Sequence, residues 1–210
     1  MLTTEEGINI NQIIQPGLDN PEHPIGVVAL SKDCYNTFDE ILVSIAQSYH
    51  NRNIRIAKYE KENYKLVNSL LNNMEEIFSK FVVDVEITSN RNLNEYLFSG
   101  AISRNDRRDV ARNILQMIKM KENEVFEETG KFLSLESKVL TAQDQNQFFR
   151  SCGFYRDWPD GRFIYVNNND TLSLITNEED HVKIVQKNGK DGNISKYLIS
   201  YFSLLDILDM

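Results

Sequence analysis

Two short apolar runs separated by a polar turn sequence constrain the fold of this 210-residue chain more than any other feature. The runs are Phe163–Val166 and Leu172–Thr176, and residues 167–170 between them read NNND. Asn and Asp adopt positive φ angles more readily than other non-glycine residues, so this sequence is typical of a tight turn. The stretch predicts an antiparallel β-hairpin, and a third strand is predicted over residues 181–186.

The rest of the chain mixes helical and extended patterns. Apolar side chains at helical spacing predict helices on both sides of the hairpin, and Ser103 is a candidate N-cap. Three prolines in residues 15–24 predict a rigid extended segment there. This order predicts an α+β fold, an antiparallel sheet flanked by helices. The predicted helices are residues 37–48, 104–119, 144–151 and Ile194–Leu208, and the strands outside the hairpin region are residues 25–30, 81–87 and 131–135.

Composition excludes several classes of partner. The net charge of -8 opposes binding to nucleic acid or anionic lipid, because both repel a chain of that sign. No apolar run approaches the roughly 20 residues needed to span a bilayer, and the start MLTTEEGINI is acidic, so we expect an intracellular protein without a transmembrane segment. Cys34 and Cys152 are too few and too distant for a disulfide framework or a zinc site.

The densest group of ionisable residues follows the hairpin, at Glu178, Glu179, Asp180 and His181. In extended geometry Glu179 and His181 would share one face and Glu178 and Asp180 the other. The residues alone leave three interpretations open: a metal site, a general acid–base carboxylate, and a solvated turn between strands. A metal site would need another ligand cluster, which the sequence does not show, so we expect no metal.

Residues 157–193, DWPDGRFIYVNNNDTLSLITNEEDHVKIVQKNGKDGN, resemble the central stretch of the phosphagen kinases, the ATP:guanido phosphotransferases that include creatine kinase and arginine kinase. In that family a W-P-x-x-R-G-I segment leads through a hairpin to the signature N-E-E-D-H. The signature stands unchanged here at Asn177 to His181. Similar likenesses occur upstream, in INQIIQPGLDNPEHP at residues 10–24 and NRNLNEYLFSGAISRNDRRDVARNIL at residues 90–115.

The resemblance implies the family's catalytic fold in shortened form. It divides the chain into a remnant of the small helical N-terminal domain at residues 1–24, a variable linking segment at residues 25–80 and a truncated catalytic-like domain at residues 81–210. The remaining arginines, the reactive cysteine and the nucleotide loop of the family find no counterpart before Met210. Within the signature, Glu179 matches the glutamate that positions the guanidinium.

Several positions depart from the pattern that the resemblance implies. Two phosphate-binding arginines of the family correspond to Glu86 and Thr88, and a third corresponds to Lys183. A histidine near the adenine corresponds to Val139. Lysine supplies a point charge without the planar fork of arginine. We therefore expect no bound ATP, no other cofactor and no catalysis, with Glu179 as a vestigial family glutamate.

These departures lead to the hypothesis of a pseudoenzyme that serves as a structural or assembly subunit. Its expected partners are protein subunits that cover exposed sheet edges and the helix Ile194–Leu208, and the family's association with energy buffering suggests a mitochondrial or axonemal assembly. The alternatives are a phosphotransferase component completed by a partner chain and a sensor of a guanidino ligand.

One basic group stands outside these assignments. Arg104, Arg107, Arg108 and Arg112 are predicted to form one basic helix face. Such a face is usually solvated or salt-bridged, and if the chain binds an anion we expect it there.

Overall fold

The computed structural model describes residues 2–22, 24–54, 76–78, 80–125, 130–134, 160–188 and 193–208. The chain forms two compact units, one of Met1–Glu60 with Asn94–Ile102 and the other of Lys61–Leu93 with Ser103–Met210. The helices are α1 (Ile10–Asp19), α2 (Cys34–Thr37), α3 (Asp39–His50), α4 (Arg104–Val125) and α5 (Ile194–Leu208). The strands are β1 (Glu86–Arg91), β2 (Lys131–Ser134), β3 (Phe163–Val166), β4 (Leu172–Thr176) and β5 (Val182–Lys187).

Helix α1 includes residues 15–19, the first half of the segment that the prolines predicted to be extended. Asn9 and Gln12 form a capping box, in which each side chain accepts a hydrogen bond from the other's backbone N–H, and Ile13 is fully buried. Pro16 lies inside the helix. The N–H of Gly17, the next residue of the helix, donates to the carbonyl of Gly26 at 3.0 Å. Capping and core packing therefore outweigh the local preference of proline.

The strand predicted at residues 25–30 is also wrong. This segment runs along α1, where the N–H of Val28 donates to the carbonyl of Ile13 at 2.9 Å. Leu30 joins the apolar core of the first unit. Gly26 and Val28 bond to α1, and the carbonyl of Leu30 accepts from the N–H of Phe98, so these groups are not part of a sheet ladder. The other buried members of that core are Ile8, Ile13, Cys34 and Phe38.

The second unit contains a five-stranded antiparallel sheet in the order β1-β5-β4-β3-β2. The hairpin β3–β4 has the bounds that the sequence predicted, and Asp170 in its turn has φ 56°. The carboxamide oxygen of Asn167 accepts hydrogen bonds from the N–H groups of Thr171 and Leu172, at 2.8 and 3.1 Å. The α+β fold class is confirmed.

Other predicted elements differ in their ends. Strand β1 begins five residues later than predicted, and Phe81 and Val83 before it are 79% and 94% exposed. Helix α4 begins at Arg104 as predicted and continues to Val125, with the Ser103 hydroxyl accepting from the N–H of Asp106 at 3.1 Å. The helix predicted at residues 144–151 lies outside the described residues.

The two faces of the sheet differ in what covers them. Cross-strand partners share a face, so Tyr165, Leu174 and Ile184 point to the same side, and all three are fully buried. Helices α4 and α5 pack against β4 and β5. The opposite face carries Glu86 and Thr88 of β1 beside Lys187 and Val185 of β5.

None of the helices in the described part of the chain is both long and apolar enough to cross a membrane.

Replacement of Ile184 tests this assignment of the core. Ile184→Ala is expected to lower the free energy of unfolding by about 2–5 kcal/mol, because it leaves a cavity in a fully buried layer. Val185→Ala removes less apolar volume from a half-buried position on the opposite face of the same strand and should cost about 1 kcal/mol. Denaturant unfolding followed by circular dichroism measures both. Equal losses would contradict the deeper burial of Ile184 relative to Val185.

Candidate functional site

The acidic turn, defined as residues 177–181, is not extended. Asn177 has φ 51°, and its N–H donates to the carbonyl of His181 at 3.0 Å, which folds the turn back on itself. Its carboxamide nitrogen donates to the carbonyl oxygens of Arg107 and Gly161, at 2.9 and 2.8 Å. Asn tolerates the left-handed region, and two anchored hydrogen bonds keep it there.

Glu178 forms a buried ion pair with Arg162, which directly precedes β3. The Arg162 side chain is fully buried and that of Glu178 is 4% exposed, and the guanidinium Nη2 contacts the carboxylate Oε2. Burying one of these charges without the other would be costly, because the interior cannot replace the hydration that the charge loses. The pair therefore fixes the first glutamate of the turn inside the unit.

Asp180 and His181 tie the turn to the segment that follows β1. The N–H of Leu93 donates to Nδ1 of His181 at 3.0 Å, so Nδ1 is the acceptor nitrogen of the ring. The N–H of His181 donates to Oδ1 of Asn92 at 3.0 Å, and Nδ2 of Asn92 donates to Asp180. His181 is fully buried in this network.

Glu179 is the exposed carboxylate of the acidic turn. The expectation that Glu179 and His181 share a face is wrong, because the left-handed Asn177 breaks the alternation and buries Glu178 and His181 instead. In the described ranges no three His, Cys, Asp or Glu side chains lie close enough together to hold a metal ion. The arrangement presents the Glu179 carboxylate to solvent, where it can accept paired hydrogen bonds from a planar cation such as guanidinium.

The positions matched to phosphate-binding arginines lie on neighbouring strands. Strand β1 pairs with β5 so that Asn90 faces Lys183 and Thr88 faces Val185, which places Thr88 and Lys183 on one face of the sheet. Glu86 lies on that face too, and its Oε2 is 3.1 Å from Nζ of Lys187. Val139 lies outside the described residues.

Sequence reasoning missed three residues that shape the turn: Arg162, Asn92 and Gly161. Arg162 could have been suspected, because it is a lone charge at the edge of an apolar strand. Gly161 has φ 65°, and a Cβ there would lie 2.3 Å from the carbonyl oxygen of Arg107. No local sequence pattern indicates that contact, since Arg107 lies more than 50 residues away.

Comparison with known proteins agrees with this geometry. The profile of the ATP:guanido phosphotransferase C-terminal catalytic domain matches residues 96–209, and that of the N-terminal domain matches residues 1–47. The chain belongs to the ATP:guanido phosphotransferase family. The identification of this phosphagen kinase family from the N-E-E-D-H signature and its flanks is thereby confirmed.

The curated relatives of this family member include vertebrate and invertebrate kinases. The M-type creatine kinase of Gallus gallus is 27% identical over 92% of this chain and 53% of its own length. Arginine kinase Lit v 2.0101 of Penaeus vannamei is 26% identical over 94% of this chain and 58% of its own length. The chain therefore spans somewhat more than half the length of these relatives.

Solved structures show the same fold. The crystal structure of lombricine kinase superposes with a TM-score of 0.78 at 22% identity, covering 98% of this chain and 58% of that one. The substrate-free duplicated taurocyamine kinase of Schistosoma mansoni gives 0.70 at 20% identity, covering 99% of this chain and 30% of that one. At such identities the likeness shows the fold alone.

The ion pair gives the site a testable energetic signature. Glu178→Gln should lower the free energy of unfolding by about 3–5 kcal/mol, because the buried Arg162 guanidinium loses its compensating charge. The neighbouring Glu179→Gln makes the same chemical change at an exposed position and should stay within about 0.5 kcal/mol of wild type. Denaturant unfolding compares them. Equal effects of the two variants would contradict the structure of the turn.

Proposed function

We propose that this chain is a catalytically inactive phosphagen kinase-like protein that serves as a structural subunit of a larger protein complex. The inference of inactivity rests on which side chains the paired strands β1 and β5 present on one face of the sheet. Glu86, Thr88 and Lys183 occupy the positions that the family resemblance assigns to phosphate-binding arginines, and the strand register puts all three on one face of adjacent strands. The acidic turn would then face no held nucleotide.

Estimates of the binding free energy support the loss of ATP binding. A hydrogen bond from an arginine to phosphate contributes about 1.5–3 kcal/mol, so three altered positions forfeit several kcal/mol. Micromolar binding corresponds to only about 8 kcal/mol in total. Glu86 adds repulsion of the phosphate charge, and its pairing with Lys187 engages a cation on the same face. Phosphoryl transfer depends mainly on such electrostatic positioning, so a retained Glu179 alone does not supply it.

The structural role is supported by the edges of the sheet. Among the described strands β1 and β2 are outermost, and an outer strand presents N–H and C=O groups that can pair with another chain. Helix α5 offers less surface for a partner than the sequence suggested. Tyr201, Leu204 and Leu205 are buried within its own unit, and Lys196 is the residue of α5 classed as exposed. A mitochondrial or axonemal assembly as the home of the complex remains a prediction from family association.

A combined assay tests this proposal. The endogenous protein, isolated by affinity purification and size exclusion, should elute in a stoichiometric complex and neither bind ATP at up to about 1 mM nor phosphorylate creatine or arginine. The triple variant Glu86→Arg, Thr88→Arg, Lys183→Arg should gain ATP binding. Lys131→Arg, which adds a guanidinium to the same sheet face at the outer strand β2, should not.

Micromolar ATP binding with phosphoryl transfer by the wild-type chain alone would overturn the proposal. Transfer that appears only with a second chain present would instead establish the alternative, a phosphotransferase completed by a partner. A monodisperse monomer without bound proteins would contradict the structural role.

The exposure of Glu179 favours a second candidate, a sensor of a guanidino ligand. Asn177, Glu178 and His181 are buried and hydrogen-bonded around it, so the backbone that carries Glu179 is held in place while its side chain is exposed. A carboxylate on a fixed backbone binds a planar cation with less loss of conformational entropy than a carboxylate on a mobile loop does.

Binding of arginine and creatine decides this candidate. Isothermal titration calorimetry should give a dissociation constant of about 1 mM or below for one of them, and Glu179→Gln should abolish it, because the amide lacks the charge that pairs with guanidinium. Glu40→Gln removes the same charge at an exposed position in α3 and should leave binding unchanged. If the wild-type chain binds neither compound, or if both variants lose affinity equally, the sensor hypothesis is contradicted.

A further inference from the structure

A cavity of about 290 Å³ lies beside the acidic turn, between α4 and the sheet. Helix α4 lines it with Arg108, Ala111, Arg112 and Leu115, whose spacing of i, i+3, i+4 and i+7 places them on one helix face. The rest of its lining comes from β2, β3 and the residues just before β3, namely Ser134, Gly161, Arg162 and Phe163. The predicted basic helix face therefore borders a concave site.

Among the described residues, the charged side chains that line the cavity are all cationic. Arg108 and Arg112 are 50% and 71% exposed and can reach a ligand, whereas the Arg162 side chain is fully buried in its ion pair. No carboxylate of the described residues lines the cavity. The carboxylates that pair with these arginines are not among the lining residues. Asp160 accepts from Arg108 at 2.7 Å and also lies 3.5 Å from Nε of Arg104, while Arg162 pairs with Glu178 and Arg112 with Asp109.

Three other described lining residues, Ala111, Leu115 and Phe163, are apolar. Ala111 and Phe163 are each 7% exposed, and Leu115 is half-buried between buried positions of α4. A small inorganic anion would leave this apolar surface in contact with water. A ligand with an apolar body would cover it, which is the favourable part of binding in most small-molecule sites.

We propose that this cavity binds a small carboxylate that carries a compact apolar body. The carboxylate would contact Arg112 and Arg108 at the open end, since a planar guanidinium fork matches a carboxylate in two parallel hydrogen bonds. The body would pack on Ala111, Leu115 and Phe163. The cavity volume suits a ligand of about a dozen non-hydrogen atoms, near the lower limit of ordinary ligand sites.

This site is separate from the proposed function. It uses the helix-covered side of the sheet, where Phe163 of β3 and Ser134 of β2 form a cross-strand pair. Glu86 and Thr88, at positions that the family resemblance assigns to phosphate-binding arginines, lie on the other face. A negative result for carboxylate binding in the cavity would therefore not contradict the proposed structural role, and the reverse also holds.

The test uses 3-phenylpropionate as the probe on the full chain, followed by two-dimensional amide NMR. Titration should give saturable shifts at Ala111, Leu115 and Phe163, with a dissociation constant of about 1 mM. The neutral isostere 3-phenylpropanamide should bind at least about 10-fold more weakly, because it lacks the charge that strengthens a hydrogen bond to guanidinium. Acetate should also bind at least about 10-fold more weakly, because it lacks the apolar body.

Matched charge-removing variants separate a built site from general charge attraction. Arg112→Gln should weaken binding about 10-fold, the effect of losing one charged hydrogen bond. Lys32→Gln also removes one cation, at an exposed position that does not line the cavity, and should leave binding unchanged. Equal weakening by both variants, or saturable shifts confined to residues away from the cavity, would overturn the proposal. Absence of any saturable shift up to about 10 mM would overturn it as well.

Discussion

The buried ion pair between Arg162 and Glu178 is the interaction on which the candidate site depends. It joins the start of β3 to the turn between β4 and β5, and both charges lie in an interior where neither could remain alone. The pair determines which glutamate of the signature is inside. Since Glu178 is held within the unit, Glu179 is the one that faces solvent.

Hydrogen bonds around the ion pair keep the turn in one conformation. Asn177 reaches across to the carbonyls of Arg107 and Gly161, which connects the turn to α4 as well as to the approach to β3. Asn92 and Leu93 connect its other end to the segment after β1. The five residues of the turn thus contact α4, the residues before β3 and the segment after β1. These contacts hold the backbone of the turn without any ligand.

The sheet face of β1 and β5 shows how backbone pairing and side chains can vary separately. The two strands pair in regular antiparallel register, and the residues at the positions that the family resemblance assigns to phosphate-binding arginines are Glu86, Thr88 and Lys183. Backbone pairing is insensitive to which side chain points outward, so a sheet can keep its register while its exposed charges change. This difference is why a family fold can persist in a chain that we propose to be inactive.

The sequence by itself determined the features whose causes are local. The β3–β4 hairpin and helix α5 were predicted with their observed bounds, because the NNND turn and the apolar spacing act within a few residues. The same local reasoning failed at Pro16, where capping by Asn9 and packing of Ile13 favour a helix. It failed again at residues 25–30, where the backbone groups of Gly26 and Val28 bond to α1. It also failed in the acidic turn. The sequence drew attention to the acidic turn, but only the tertiary structure decided that Glu178 is buried and Glu179 exposed. That choice depends on Arg162, Arg107 and Asn92, which no local pattern brings together.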